Sequence, residues 1–144
     1  MIRYLTGDIF QSEMQTLVVP VNTVGVMGAG LAKEFARRYP KMFEIYREDC
    51  EDGIYKVGRL GIWRENISRW ILNFPTKTDW RKPSKLEYIE AGLETLVETY
   101  ERAYIESIAF PKLGCGLGGL HWPDVRALFE DYLNQVCIDV EVLI

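Results

Sequence analysis

Histidine and cysteine are scarce in this chain. There is one histidine, His121, and there are three cysteines, Cys50, Cys115 and Cys137, among 144 residues. No two cysteines form a Cys-x-x-Cys pair, so the chain offers neither a disulfide framework nor the ligand set of a zinc site. We therefore expect no metal site, no cofactor, and the reduced thiols of a cytoplasmic protein.

Positive charge and long apolar runs are also in short supply. The 17 lysines and arginines are outnumbered by 21 acidic residues, for a net charge of −4. This balance argues against binding nucleic acid by a broad basic surface, although a local basic strip remains compatible with it. The N-terminus lacks the apolar core of a signal peptide, and no run is long enough to span a bilayer, so we expect a soluble protein with no membrane partner.

Size and periodicity predict one α/β domain over residues 1–144. A chain of this length that is 48% hydrophobic can bury one core but is short for two. Strands are predicted at 2–5, 17–22, 59–63, 70–74, 105–111 and 138–144, and helices at 30–39, 41–50, 84–103 and 123–133. Ser84 and Glu87 are predicted to form a capping box at the start of the third helix. The order of elements predicts helices on both faces of a mixed, mostly parallel sheet of about six strands.

Glycine is present but concentrated in two loops. The first glycine loop, residues 23–30, follows a buried strand and precedes a helix, with glycines at 25, 28 and 30. The late glycine loop, residues 113–120, follows another buried strand and reads LGCGLGGL. Glycine turns between a strand and a helix bring backbone amides close to an anion, and the helix N-terminus adds about half a positive charge. We interpret the two loops as holding one pyrophosphate between them at the carboxyl ends of the strands.

Other phosphate motifs fit less well. Residues 114–119 match G-x-G-x-x-G, but that dinucleotide fingerprint belongs at the first turn of a βαβ unit, and only one helix and one strand follow here. No G-x-x-x-x-G-K-[ST] run is present, which removes the P-loop reading. A single glycine cluster can be only a tight turn, whereas two after buried strands favour a phosphate site.

The motifs together resemble the macrodomain family, the ADP-ribose-binding fold. The resemblance rests on Gly7-Asp8-Ile9, on Pro20-Val21-Asn22 with the Gly28–Gly30 turn, and on the late glycine loop. The segments 22–28 and 73–77, with Trp122 after the late loop, are more similar to one branch, the DarG-type antitoxin macrodomains that remove ADP-ribose from DNA. The resemblance covers nearly the whole chain and implies a three-layer α/β/α fold.

The resemblance also implies roles for individual residues. Asp8 would accept a hydrogen bond from the adenine amine, and Asn22 would orient the distal ribose. Without the resemblance, both residues would be interpreted as turn or capping residues. The predicted ADP-ribose contacts are Asp8, Ile9, Asn22, Gly28, Ala29, Gly30, Leu31, Thr76, Gly114, Cys115, Gly116, Leu117, Gly118 and Gly119.

Lys77, with Asn22, is the predicted catalytic residue. In the resembling branch a lysine at this position is essential for releasing ADP-ribose at the anomeric carbon of the distal ribose. It could attack that carbon, which requires a lowered pKa, or protonate and stabilise charge nearby. By position alone, a lysine at a strand end would simply be solvated. Related glycohydrolases that act on protein carboxylates pair such a lysine with an aspartate in the late loop, where this chain has Gly118, so that substrate class is disfavoured.

A compact basic strip surrounds Trp80 and is composed of Lys77, Arg81, Lys82 and Lys85. Basic side chains around an aromatic ring can follow a single-stranded backbone while stacking a base, although a charged loop with a packed tryptophan is the plain alternative. Cys115 and His121 have no sequence partner for catalysis and are interpreted as packing and surface residues.

The predicted function is removal of ADP-ribose from a nucleobase, thymidine by the resemblance, of ADP-ribosylated single-stranded DNA. Two alternatives stay open. One is a non-catalytic ADP-ribose reader in which Lys77 is idle, and the other is a hydrolase of small derivatives such as O-acetyl-ADP-ribose or ADP-ribose-1″-phosphate. DarG-type proteins carry a long C-terminal region implicated in toxin binding, and with Ile144 as the last residue we do not expect direct toxin neutralisation.

Overall fold

The computed structural model describes residues 1–144 and contains six strands and four helices. The strands are β1 (Ile2–Leu5), β2 (Thr16–Asn22), β3 (Gly61–Asn66), β4 (Arg69–Lys77), β5 (Ser107–Pro111) and β6 (Asp139–Leu143). The helices are α1 (Gly30–Arg38), α2 (Pro40–Glu51), α3 (Leu86–Thr99) and α4 (Trp122–Leu133), and a short 3-10 turn covers Ile9–Gln11. None of the helices combines the length and apolar character that crossing a bilayer requires.

One six-stranded sheet runs through the molecule in the order β1-β6-β5-β2-β4-β3. All neighbouring pairs are parallel except β3 and β4, which form an antiparallel hairpin. Helices α1 and α2 cover one face, and α3 and α4 cover the other. The predicted three-layer α/β/α architecture with a mixed sheet is confirmed.

The central strands are buried on both faces, which gives the domain two cores. In β2, Val18 packs with the α3 and α4 layer, whereas Leu17 and Val19 pack with the α1 and α2 layer. Leu72 and Ile71 of β4 divide in the same way. Because successive residues of a strand point to opposite faces, a strand covered on both sides has to be apolar nearly throughout.

A register shift brings the two predicted catalytic residues together. Along the β2–β4 pair, Val21 is opposite Pro75, but the next residue, Asn22, is opposite Lys77. One residue of β4, Thr76, is therefore extra at this point, which is the arrangement of a β-bulge. Pro75 has no N–H to donate to the ladder, and a bulge is where a sheet tolerates that loss.

Helix α3 begins two residues later than predicted, and the predicted capping box is wrong. Lys85 occupies the N-cap position, and no side chain caps the helix. Ser84 is buried, and its N–H donates to the carbonyl of Gly118 at 3.1 Å. The late glycine loop therefore binds the residue that local sequence would assign to the helix. Strand β4 also extends three residues past the predicted end, to Lys77.

Candidate ligand-binding cleft

A cleft of about 940 Å³ opens where β2, β4 and β5 end. These strands are parallel, so their carboxyl ends and the loops that follow them meet at one edge of the sheet. The volume lies at the upper end of the range for small-molecule sites. The predicted contact residues that line the cleft are Asn22, Gly28, Ala29, Gly30, Leu31, Thr76, Gly114, Cys115, Gly116, Leu117 and Gly118.

The first glycine loop is shaped by the side chain of Asn22. Its Nδ2 donates to the carbonyl of Val26 at 2.7 Å, and its Oδ1 accepts from the N–H groups of Val24 and Val26 at 3.1 and 3.2 Å. Asn22 is nearly buried, and these bonds leave one amide N–H for a ligand. The predicted contact between Asn22 and the distal ribose stays a prediction for that remaining donor.

Tyr46 supports Asn22 from helix α2. Its hydroxyl donates to the backbone carbonyl of Asn22 at 2.7 Å and lies 3.0 Å from Asn22 Oδ1. Burial raises the pKa of the Tyr46 phenol, so it remains a donor. This role of Tyr46 was not predicted, because no local sequence pattern connects positions 22 and 46.

Helix α1 directs an uncapped N-terminus into the cleft. Gly30 has a φ of 57°, and the N-cap residue Ala29 makes no side-chain hydrogen bond to the first turn. The first turn also contains no acidic residue. The first amides of the helix are therefore available to an anion at the positive end of the helix dipole.

The late glycine loop faces the first one across the cleft. It turns at Gly114 and Gly119, which have φ angles of 73° and 79°, and Leu120 N–H donates to the Gly114 carbonyl at 2.9 Å. Leu117 is 72% exposed, and its side chain reaches toward Gly30, where an added Cβ would be 3.5 Å from it. The two loops thus come close to each other at the cleft, at Gly30 and Leu117.

Lys77 lies in the cleft wall between the late glycine loop and the loop of residues 78–85, here called the Trp80 loop. Its Nζ donates to the carbonyl of Leu117 at 3.3 Å and to the carbonyl of Trp80 at 3.4 Å. An ammonium has three N–H donors, so one remains for a ligand. In this arrangement the side chain is half-buried and acts as a hydrogen-bond donor at the cleft surface.

Three predicted contact residues do not line the cleft. Asp8 is exposed, and its Oδ1 accepts from the Phe10 N–H at 2.9 Å as the N-cap of the 3-10 turn. Ile9 is buried in the core on the α1 and α2 side. Gly119 is exposed and lies outside the cleft lining. The adenine contact of Asp8 stays a prediction that depends on its second carboxylate oxygen.

The basic strip is less positive than its sequence indicates. Arg81 pairs with Asp79 at 2.8 Å, and this guanidinium holds the pKa of the Asp79 carboxyl well below its usual range. Lys85 lies 4.0 Å from Glu87. Trp80 lines the cleft with about half its surface exposed, and the Arg81 guanidinium lies 5.4 Å from the centre of its ring.

Cys115 lines the cleft but has the character of a packing residue. Burial raises the pKa of its thiol, and its Sγ lies 3.5 Å from the carbonyl of Leu113. A thiol with a raised pKa is a poor nucleophile.

Two polar residues that line the cleft, Ser84 and Lys112, were not predicted as site residues. Lys112 directly follows β5, at the edge where the parallel strands end, and that position is a signal that could have identified it.

Comparison with known proteins gives the class of this domain. The Macro domain family model matches residues 18–129. The chain belongs to the macrodomain family, as its motifs predicted. It is 41% identical over 139 residues to the DNA ADP-ribosyl glycohydrolase of Thermus aquaticus, a match that covers 94% of this chain and 39% of that protein.

Solved structures confirm the similarity to the DarG branch. The macrodomain of Thermus aquaticus DarG is 39% identical, with a TM-score of 0.95 over 100% of this chain and 98% of that one. Thermosipho africanus DarTG in complex with ADP-ribose is 38% identical, with a TM-score of 0.93 over 99% of this chain and 41% of that one. The chain spans about two fifths of the length of its DNA ADP-ribosyl glycohydrolase relatives, including the fusion protein.

Proposed function

We propose that this macrodomain is a glycohydrolase that releases ADP-ribose from a nucleobase, thymine, of ADP-ribosylated single-stranded DNA. The observation that carries the proposal is the position of Lys77, on the strand position opposite Asn22 and with its Nζ in the cleft wall between the late glycine loop and the Trp80 loop. The name DNA ADP-ribosyl glycohydrolase, borne by relatives 41–42% identical, supports the same reaction.

The cleft offers a place for each part of ADP-ribose. The pyrophosphate lies between the two glycine loops, where the uncapped N-terminus of α1 attracts negative charge. The distal ribose then lies at the Lys77 end of the cleft, beside Trp80. In this orientation the scissile bond is within reach of the one Lys77 donor that the protein does not use.

Lys77 acts best as a proton donor to the leaving base. When the bond between the anomeric carbon and the base nitrogen breaks, its electron pair stays on the base, and water forms the new bond to carbon. In the transition state, the positive charge that develops on the sugar repels a nearby ammonium, whereas the negative charge that develops on the departing base attracts it. The Lys77 ammonium therefore stabilises the transition state best when it lies next to the base. The proton taken from water ends on the base nitrogen or replaces the one that Lys77 has donated.

Trp80 and its basic neighbours extend the site toward the DNA. The exposed ring offers a stacking surface next to the scissile bond, and base stacking on an aromatic ring contributes about 1–3 kcal/mol per base. Lys82 and Lys85 then contact the backbone, with Arg81 weakened as a phosphate ligand by Asp79. A single-stranded segment suits this loop because its bases are free to stack.

The test compares wild type with Lys77→Ala on an oligonucleotide bearing one ADP-ribosylated thymidine. Loss of a proton donor predicts a fall in released ADP-ribose of about 10²–10⁴-fold, with ADP-ribose affinity kept within a few fold. Lys56→Ala, an exposed lysine away from the cleft, is the matched control.

Other outcomes identify the alternatives. Equal release by wild type and Lys77→Ala would overturn the catalytic assignment. Binding of ADP-ribose without release from DNA, from glutamate-linked ADP-ribose or from O-acetyl-ADP-ribose would indicate a reader. Release from O-acetyl-ADP-ribose alone would identify a hydrolase of small derivatives.

A further inference from the structure

The hydroxyl of Ser84 is buried beside the cleft and has no hydrogen-bond partner. Ser84 is 5% exposed, and its Oγ is one of two buried side-chain polar atoms in the protein that lack a partner. Buried hydroxyls are nearly always paired, so an unpaired one next to a binding cleft needs an explanation.

The hydroxyl lies directly against the backbone of the late glycine loop. The Ser84 N–H donates to the Gly118 carbonyl at 3.1 Å, and a Cβ added at Gly118 would clash with both Ser84 Oγ and the Gly114 carbonyl oxygen. Ser84 and Gly118 both line the cleft. The hydroxyl therefore lies at the cleft wall, next to the backbone of the late loop.

The hydroxyl has no partner in this conformation of the late loop. Its oxygen is covered by protein, so neither water nor a ligand reaches it. The nearby carbonyls of Gly114 and Gly118 accept from the N–H groups of Leu120 and Ser84, and neither accepts from the hydroxyl. Residues 114–119 include four glycines, two of them with positive φ, so this backbone has the freedom to rearrange.

We propose that Ser84 is a ligand-positioning residue whose hydroxyl donates to a phosphate oxygen of the bound nucleoside diphosphate once the late glycine loop rearranges around it. The proposal rests on the proposed function for the identity of the ligand but not for its hydrolysis. A phosphate oxygen is the strongest acceptor that a diphosphate in this cleft would present, and hydrogen bonds to charged groups are about twice as strong as neutral ones. The ligand thereby satisfies a donor that the free protein leaves unpaired.

The test is Ser84→Ala, and it predicts two effects of opposite sign. Since the hydroxyl has no partner in the free protein, its removal should leave the thermal midpoint of the free domain unchanged or raised. The Kd for ADP-ribose, measured by calorimetry, should rise about tenfold or more. Ser68→Ala, at an exposed turn between β3 and β4, should change neither quantity.

Competition experiments locate the contact on the ligand. Inorganic pyrophosphate should compete less well in Ser84→Ala than in wild type, whereas adenosine should compete equally in both. An unchanged Kd for ADP-ribose, or a lowered midpoint of the free variant, would overturn the proposal. If wild type binds ADP-ribose, Ser84→Ala weakens that binding, and neither protein releases ADP-ribose from DNA, the Ser84 proposal stands while the proposed hydrolysis fails.

Discussion

The two glycine loops share a sequence style but are held in different ways. In the first loop, the Asn22 side chain makes three hydrogen bonds to loop backbone, and Tyr46 holds Asn22 from behind. In the late loop, the side chain of Lys77 reaches in from outside and bonds to the Leu117 carbonyl at 3.3 Å. The buried hydroxyl of Ser84, next to this loop, has no partner.

From this difference we expect the two loops to contribute to ligand binding in different ways. A loop whose polar groups are satisfied before the ligand arrives is preformed and loses little entropy on binding. A loop with an unsatisfied donor beneath it gains a hydrogen bond only in another arrangement, so it is suited to close around a ligand. The diphosphate would then bind between one rigid wall and one adaptable wall.

The largest effect is expected from Asn22→Ala. It removes three partly buried hydrogen bonds to the loop and the amide that Tyr46 contacts, which should lower the free energy of unfolding by roughly 2–4 kcal/mol. ADP-ribose binding should be lost at temperatures where the variant is folded. Chemical denaturation and calorimetry measure the two effects.

Asn66→Ala is the matched control for this variant, because Asn66 caps an exposed turn through the Ser68 N–H. It should cost less than about 1 kcal/mol and leave binding intact. If Asn22→Ala still binds ADP-ribose, the first loop does not depend on the Asn22 amide for its binding conformation. The proposed difference between the two loops would then be wrong.

Gly118→Ala and Gly116→Ala probe the late loop with the same added methyl group. At Gly118 the methyl meets Ser84 Oγ and the Gly114 carbonyl, which should cost about 1–3 kcal/mol and weaken ADP-ribose binding. At Gly116 nothing lies within 4 Å, so the variant should fold with the stability of wild type. Equal effects at both positions would show that the Ser84 contact does not constrain the loop.

Tyr46→Phe isolates the support behind the first loop. Loss of the hydroxyl should lower the free energy of unfolding by about 1 kcal/mol and weaken ADP-ribose binding a few fold. Tyr132→Phe, which removes an exposed hydrogen bond to Glu90, is the control and should be near neutral. If Tyr46→Phe and Tyr132→Phe bind ADP-ribose with the same affinity, Asn22 holds the first loop without support from the Tyr46 hydroxyl.

The smallest effect concerns pH. Burial raises the pKa of the Cys50 thiol, which lies beside Gly25 of the first loop, from its ordinary value near 9 to about 11. The raised pKa means that the folded state holds the neutral thiol, so this contribution to stability is complete below pH 9 and is lost as pH rises toward 11. Between pH 9 and 11, the thermal midpoint of Cys50→Ser should fall less than that of wild type. The same dependence of the midpoint on pH in both proteins would contradict the assignment.

The family and the general form of the site could be predicted, whereas its hydrogen bonds could not. Asn22, Lys77 and the two glycine loops are short motifs at strand ends, and parallel strands bring such ends to one edge. Tyr46 could not be recognised as a site residue because it is 24 positions from Asn22, in helix α2, whereas Asn22 ends strand β2. Ser84 was misassigned because its S-x-x-E pattern is a valid local signal, while its actual partner, Gly118, lies 34 residues further along.

The sequence by itself determined the alternation of helices and strands, the two-sided burial of the central strands and the position of the glycine turns. These features follow from side-chain periodicity and from backbone freedom, which are local properties. Only the tertiary structure decided that a bulge in β4 sets Lys77 opposite Asn22, and that the late loop covers an unpaired Ser84 hydroxyl. Both results depend on which distant segments compete for the same backbone groups, and that competition is resolved only when the chain packs.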